Sequence, residues 1–147
     1  AYPEGSRIFR LSGNTYFIGT NAAGQPALFR QALTQSGGNA TTIPEELVEG
    51  VEDMQITYGV DRSTPADNIV DIYVAANLVT DMATPGVTDA DKWRRVLSVK
   101  LSLLMRSIEN NVTTESQTYT FDSSTTSQAD RRLRKVFTTT IALRNRL

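Results

Sequence analysis

The 147-residue sequence predicts an α+β fold, mainly antiparallel sheet with one or two short helices, and three observations carry that reading. The first is a change of period inside Glu45–Asp61. Leu47, Val48, Val51 and Met54 recur at helical spacing, and Pro44 with Glu45, Glu46 and Glu49 suits the first turn of a helix, so Pro44–Asp53 reads as one or two helical turns. Met54, Ile56, Tyr58 and Val60 then alternate with Gln55, Thr57 and Gly59, the mark of a half-buried strand. The second is a series of short β-branched and aromatic runs bounded by turn residues. The third is that no helical stretch is long enough for a βαβ crossover, which leaves antiparallel pairing.

The elements follow in chain order. Arg7–Leu11 is a short apolar run broken by Ser12-Gly13-Asn14. Thr15–Thr20 (TYFIGT) reads as a strand, Asn21–Pro26 as turn chemistry, and Ala27–Leu33 as a second strand. The two form a hairpin with a loop of about six residues. Gly, Ser, Asn and Thr make Thr34–Thr42 a loop. Asp61–Asn68 is a surface loop, Ile69–Val74 a candidate strand, Ala75–Met82 a short helix or irregular turn, and Ala83–Ala90 a loop around Pro85-Gly86. Lys92–Ser107 fits two templates. Trp93, Leu97, Leu101, Leu104 and Ile108 would line a helix, whereas Leu97, Val99, Leu101, Leu103 and Met105 share one face of a strand. The alternation is the longer pattern, so strand is preferred, with Trp93 as a core anchor at its start. Ile108–Ser116 reads as loop, Gln117–Phe121 as a short strand and Asp122–Ala129 as a disordered Ser/Thr loop. Asp130–Leu147 is a final strand led in by Arg131–Lys135, giving about six or seven strands in all.

Composition narrows the chemistry. The length suits one domain, residues 1–147, with its own core. Net charge is −1, which gives no global pull toward nucleic acid or an anionic membrane. The absence of histidine and cysteine removes Ser-His-Asp and Cys-His catalysis, thiol redox chemistry and the usual zinc sites. No apolar run is long enough to span a bilayer, and no cofactor motif is present.

Charged clusters are the remaining candidates. Glu45, Glu46, Glu49, Glu52 and Asp53 read as a solvated helix face rather than an acid/base pair. Asp61, Asp67 and Asp71 lack the Asp-x-Asp-x-Asp-Gly spacing of a calcium loop. Six basic residues, Arg131, Arg132, Arg134, Lys135, Arg144 and Arg146, fall in the last eighteen positions. Without interleaved aromatics they suit a sheet edge or a salt-bridging protein surface better than a phosphate backbone. Asn39-Ala40-Thr41 and Asn111-Val112-Thr113 match the glycosylation sequon, a weak pattern. Nothing assembles a nucleophile, a base and an orienter, so the residues describe a non-enzymatic interaction domain.

Three segments, taken together, carry a family resemblance. Leu47–Asp61 (LVEGVEDMQITYGVD) resembles the central block of PilW-type minor pilins of the type IV pilus. Trp93 leading into Val96, Val99–Leu104 and Arg106-Ser107 resembles their next block, and Asp130–Arg146, with its A-L-R-N-R ending, their C-terminal block. Tyr16-Phe17-Ile18 with Gly24, Pro26, Leu28 and Arg30 fits more loosely. The first two blocks are also similar to the J-type minor pseudopilin of type II secretion, whose C-terminus differs.

The resemblance implies a pilin-like head domain and a structural role. Family members carry an N-terminal hydrophobic helix that anchors them in the inner membrane, facing the periplasm, before they enter the extracellular pilus. Here the chain begins Ala-Tyr-Pro and reads as a soluble head with that helix left out. Expected partners are other minor pilins (PilV-, PilX- and FimU-like), a PilY-type tip adhesin and the major pilin. Expected roles are priming of pilus assembly and a place in the tip complex, in support of twitching motility, adhesion or DNA uptake. A DNA-receiving pilin using the basic C-terminal strand is an alternative. The expected contact surfaces are Arg131, Arg132, Arg134 and Lys135 on one side, and Glu45, Glu46, Glu49 and Glu52 on the other.

Overall fold

Gly50 is where the chain changes sheets. In the computed structural model it has φ 80°, a left-handed conformation that a side chain strains, and its N–H donates to the Pro26 carbonyl at 2.7 Å. The chain divides there into two compact units, Ala1–Gly50 and Val51–Leu147. The structure describes residues 3, 5–7, 12–36, 39–81 and 88–144. The Ile8–Leu11 portion of the first apolar run, Pro85-Gly86 and the last two residues of the C-terminal block, Asn145 and Arg146, lie outside these.

The first unit is a three-stranded antiparallel meander of β1 (Asn14–Thr20), β2 (Pro26–Ser36) and β3 (Asn39–Glu49). The expected hairpin is present and its turn is set by Asn21, whose side-chain oxygen accepts from the N–H groups of Ala23 and Gln25. Phe17 and Phe29 face each other across the β1–β2 ladder, rings stacked at 5.4 Å, with Gly19 close beneath them. Thr34–Thr42, read as loop, instead continues β2 and opens β3 on either side of residues 37–38. Its polar residues suit a ribbon that is exposed along β3 on both faces.

Pro44–Asp53 is not a helix: it is the end of β3, the Gly50 turn and the start of β4. Two β-bulges explain part of the helical spacing: Glu52 is extra between Val51 and Asp53, so Val51 and Met54 share a face. Leu28 pairs with Val48 but Phe29 pairs with Glu46, so Leu47 is extra, and Glu46 and Glu49 come to one face although they are three residues apart.

The second unit is built on a four-stranded antiparallel sheet in the order β5-β4-β6-β9, from β4 (Val51–Val60), β5 (Ile72–Val74), β6 (Val96–Arg106) and β9 (Arg134–Ala142). Two short helices, α1 (Ala76–Thr80) and α2 (Asp89–Arg94), precede β6. Thr88 caps α2 by accepting from the Asp91 N–H, and Lys92 Nζ reaches back to the Thr80 carbonyl at the end of α1. Lys92–Arg94 are therefore helical, and the strand preferred for Lys92–Ser107 starts only at Val96. Trp93, expected in the core, is 40% exposed and stands edge-on to Tyr58 at 5.1 Å.

Val60, Val79 and Val96 form a buried cluster flanked by Tyr58 and Val74. A further irregularity, Gly59 opposite Ser98 but Val60 opposite Val96, leaves Leu97 without a partner on β4 and puts Val96 into that cluster in its place. On the opposite face Tyr73 lies across Gly59, its hydroxyl 3.2 Å from Ser98 Oγ and its ring under Lys100 Nζ. The last expected loop, Asp122–Ala129, is ordered: β7 (Gln117–Phe121) and β8 (Ser124–Gln128) form a hairpin. Asp122 and Ser123 both take positive φ at its turn, as a two-residue hairpin turn with right-handed strands requires. Nine strands, all antiparallel in their pairing, thus occur among the described residues.

Candidate interaction site

The acidic stretch and the basic stretch are each divided by the fold. In the first unit, Glu45 pairs with Arg30 at 2.5 Å on an exposed surface, an ion pair of a kind worth at most about 1 kcal/mol. Glu46 and Glu49 both accept from Asn21 Nδ2, at 2.9 and 2.8 Å, because the bulge at Leu47 aligns them. All three carboxylates stay at the surface, on a strand and not on the helix face expected for them.

Glu52 belongs to the second unit and has a different environment. It receives Arg134 Nε and Nη2 at 2.7 and 2.9 Å and Arg106 Nη1 at 3.1 Å. Arg134 also donates to both oxygens of Asp130, at 2.7 and 2.8 Å, and its guanidinium lies 5.7 Å from the Tyr119 ring centroid. Its side chain is 3% exposed. Arg106 and Arg134 are directly opposite in the β6–β9 register, a like-charge pair that Glu52 neutralises. Two forked carboxylate contacts on one planar guanidinium are a geometry lysine cannot reproduce. Arg134 and Glu52 were expected to form outward surfaces; the fold turns them toward each other.

The rest of the basic run is partly engaged. Arg132 is half-buried and donates to the carbonyls of Ser107 and Ile108, the latter through a very short contact. Arg131 is exposed, with φ 51°, and donates to Asn111 Oδ1. Lys135 is exposed, its Nζ 5.4 Å from the Phe137 ring centroid. Arg131 and Lys135 are the outward-facing members of the run.

Electrostatics tie this cluster to pH. Hydrogen bonds from Arg134 hold the Asp130 carboxyl well below the usual carboxylate range, against the upward push of burial and with help from the Arg132 N–H and the charges of both arginines. Arg134 is held above its ordinary value by the hydrogen bonds it donates to Asp130 and Glu52, so it stays charged at every working pH. With its folded pKa depressed, Asp130 contributes stability that is present above its unfolded value and lost as pH falls through the folded one. Thermal melts between about pH 4 and pH 2 should show Asp130→Asn losing less stability than the native chain. Parallel losses in the two proteins would refute that role.

The candidate calcium carboxylates are spent on loop geometry. Burial pushes Asp61 up, but the N–H groups of Asn68 and Ser63, with Asp67 and Arg95, outweigh it and hold its carboxyl below the usual range. Asp67 accepts from the Ile69 N–H and Asp71 from the Arg62 N–H. Among the described residues no group of three or more acidic side chains is placed to hold a metal ion. None of their helices is long and apolar enough to cross a membrane.

Antiparallel sheets, hairpins and internally neutralised charge make this a β-rich chain. A family model described as type IV pilus-assembly protein W matches residues 15–145, and the chain belongs to that PilW family. The family is one of pilus assembly, so association with other pilus components is part of its role. No curated protein and no solved structure matches the chain.

Proposed function

We propose that this chain is the head of a minor pilin that helps prime type IV pilus assembly and takes a place in the pilus-tip complex, without enzymatic activity of its own. The observation that carries the reading is the match of the pilus-assembly family across residues 15–145, nearly the whole chain. The partners it would meet are PilV-, PilX- and FimU-like minor pilins, a PilY-type adhesin and the major pilin. It would sit in the bacterial inner membrane facing the periplasm before entering the extracellular pilus. Exposed Arg131 and Lys135, and in the first unit exposed Glu45, Glu46 and Glu49, supply charge that orients association more than it strengthens it.

An in-frame deletion in the native host tests the proposal. Few or no sheared surface pili with normal type II secretion is the expected result. Normal pili with failed secretion would instead assign the chain to a pseudopilin role. Normal behaviour in both assays would remove the proposal.

A further inference from the structure

Among the described residues, the outer edge of β9 is an open hydrogen-bonding surface. Leu143 N–H donates to Leu97 and Leu133 accepts from Ser107, so the odd-numbered residues of β9 turn their backbone groups toward β6. The even-numbered residues therefore turn theirs outward. At Arg134 those outward groups are taken by one side chain: Gln117 Oε1 accepts from the Arg134 N–H at 2.6 Å, and Gln117 Nε2 donates to the Arg134 carbonyl at 2.8 Å. The amide of Gln117 thus occupies the place of a peptide group on a neighbouring strand. Beyond it, at Val136, Thr138, Thr140 and Ala142, no described residue continues the ladder, and β9 is the last strand in the sheet order.

Sheet edges of this length are ordinarily blunted by charge, proline or a bulge. Val136–Ala142 contains neither charge nor proline, and its register with β6 is unbroken. Beside the edge, Leu101, Leu103, Phe137, Thr138 and Thr139 line an apolar groove of about 280 Å³. Phe137 and Ile141, on the groove face, are 49% and 54% exposed.

We infer that β9 is a β-augmentation site for an extended segment of another polypeptide, apolar and β-branched at its centre and acidic at its ends. Backbone pairing to Val136–Ala142 supplies the affinity, and alternate side chains beside Phe137 and Ile141 cover the groove. The flanks select the partner: exposed Lys135 and Arg144 stand at the two ends of the free edge. A second copy of this chain is the poorer fit, since antiparallel pairing of two β9 strands sets Lys135 of one near Arg144 of the other. The inference depends on the assembly role only for where such a segment comes from.

The test uses the 147-residue chain and acetylated peptides of about seven residues, the length of the free edge. Their centre alternates valine and threonine, and they are flanked by glutamate, flanked by lysine, or interrupted by proline. Fluorescence anisotropy should show saturable binding of the glutamate-flanked peptide, at least about tenfold weaker binding of the lysine-flanked one, and none of the proline-interrupted one. Thr140→Pro removes an outward N–H and leaves the β6 ladder intact, a position where edge strands admit proline. It should weaken binding at least about tenfold with an unchanged circular-dichroism spectrum. Should Thr140→Pro perturb the fold, Phe137→Ala gives the same reading through the groove. Absence of binding by every peptide, or binding indifferent to these substitutions, overturns the site. Concentration-dependent dimerisation lost in Thr140→Pro overturns the choice of partner. A failed peptide titration alongside lost pili in the deletion strain would separate this inference from the assembly role.

Discussion

Replacing Arg134 with alanine is expected to destabilise the second unit by about 3–5 kcal/mol, because it leaves Glu52 and Asp130 without their main partner. For a chain of this size that lowers the melting temperature by roughly 10 °C. The magnitude comes from leaving Glu52 with only Arg106 and Asp130 with only the weaker Arg132 contact, not from the net worth of the pair, so Arg134→Lys should recover only part of it. Arg131→Ala, an exposed change three positions away, should stay within about 0.5 kcal/mol. Equal melting temperatures for Arg134→Ala and Arg131→Ala would show that the cluster is ornamental.

Gly59→Val is expected to be the most damaging substitution of a glycine. A Cβ there would collide with Ser98 Oγ and meet Tyr73 Cε1 and Val70 Cγ1 at 3.0 Å each. Overfilling a packed site of this kind costs about 1–3 kcal/mol, and valine adds two further carbons against the Tyr73 ring. Gly13→Ala is the matched control, since nothing lies within 4 Å of a Cβ at that position. Chemical denaturation midpoints decide between them. A Gly59→Val midpoint within error of Gly13→Ala would mean that Tyr73 does not lie across the strand as described.

What the sequence reveals of this fold follows from burial. β4 is legible because Met54, Ile56, Tyr58 and Val60 alternate along one strand face, and β1 and β2 because aromatic and β-branched residues flank turn chemistry. β3 and β8 are not, since strands exposed on nearly every residue need no apolar alternation. The bulge at Leu47 does more than hide a strand: it places residues three apart on one face, which is also what a helix does. For the candidate site, a run of four basic residues within five positions contains no mark of which member turns inward. That choice is made by register, which sets Arg134 opposite Arg106 and within reach of Glu52. The one local signal was the position of Arg134 four residues after Asp130, a spacing whose ion pair forms here outside any helix.

Glu52 and Arg134 are separated by 82 positions, and that distance governs the order in which the chain can fold. The first unit is a meander whose strands pair with their sequence neighbours, so its contacts close as soon as each hairpin is made. In the second unit β4, near its start, must keep a carboxylate ready for a guanidinium on its last strand. Until β9 has left the ribosome, β6 presents an unpaired edge and Glu52 lacks its forked partner. Synthesis therefore completes the first unit early and holds the second open to its end, so the vulnerable species during biogenesis is a nascent chain that has β6 but not yet β9.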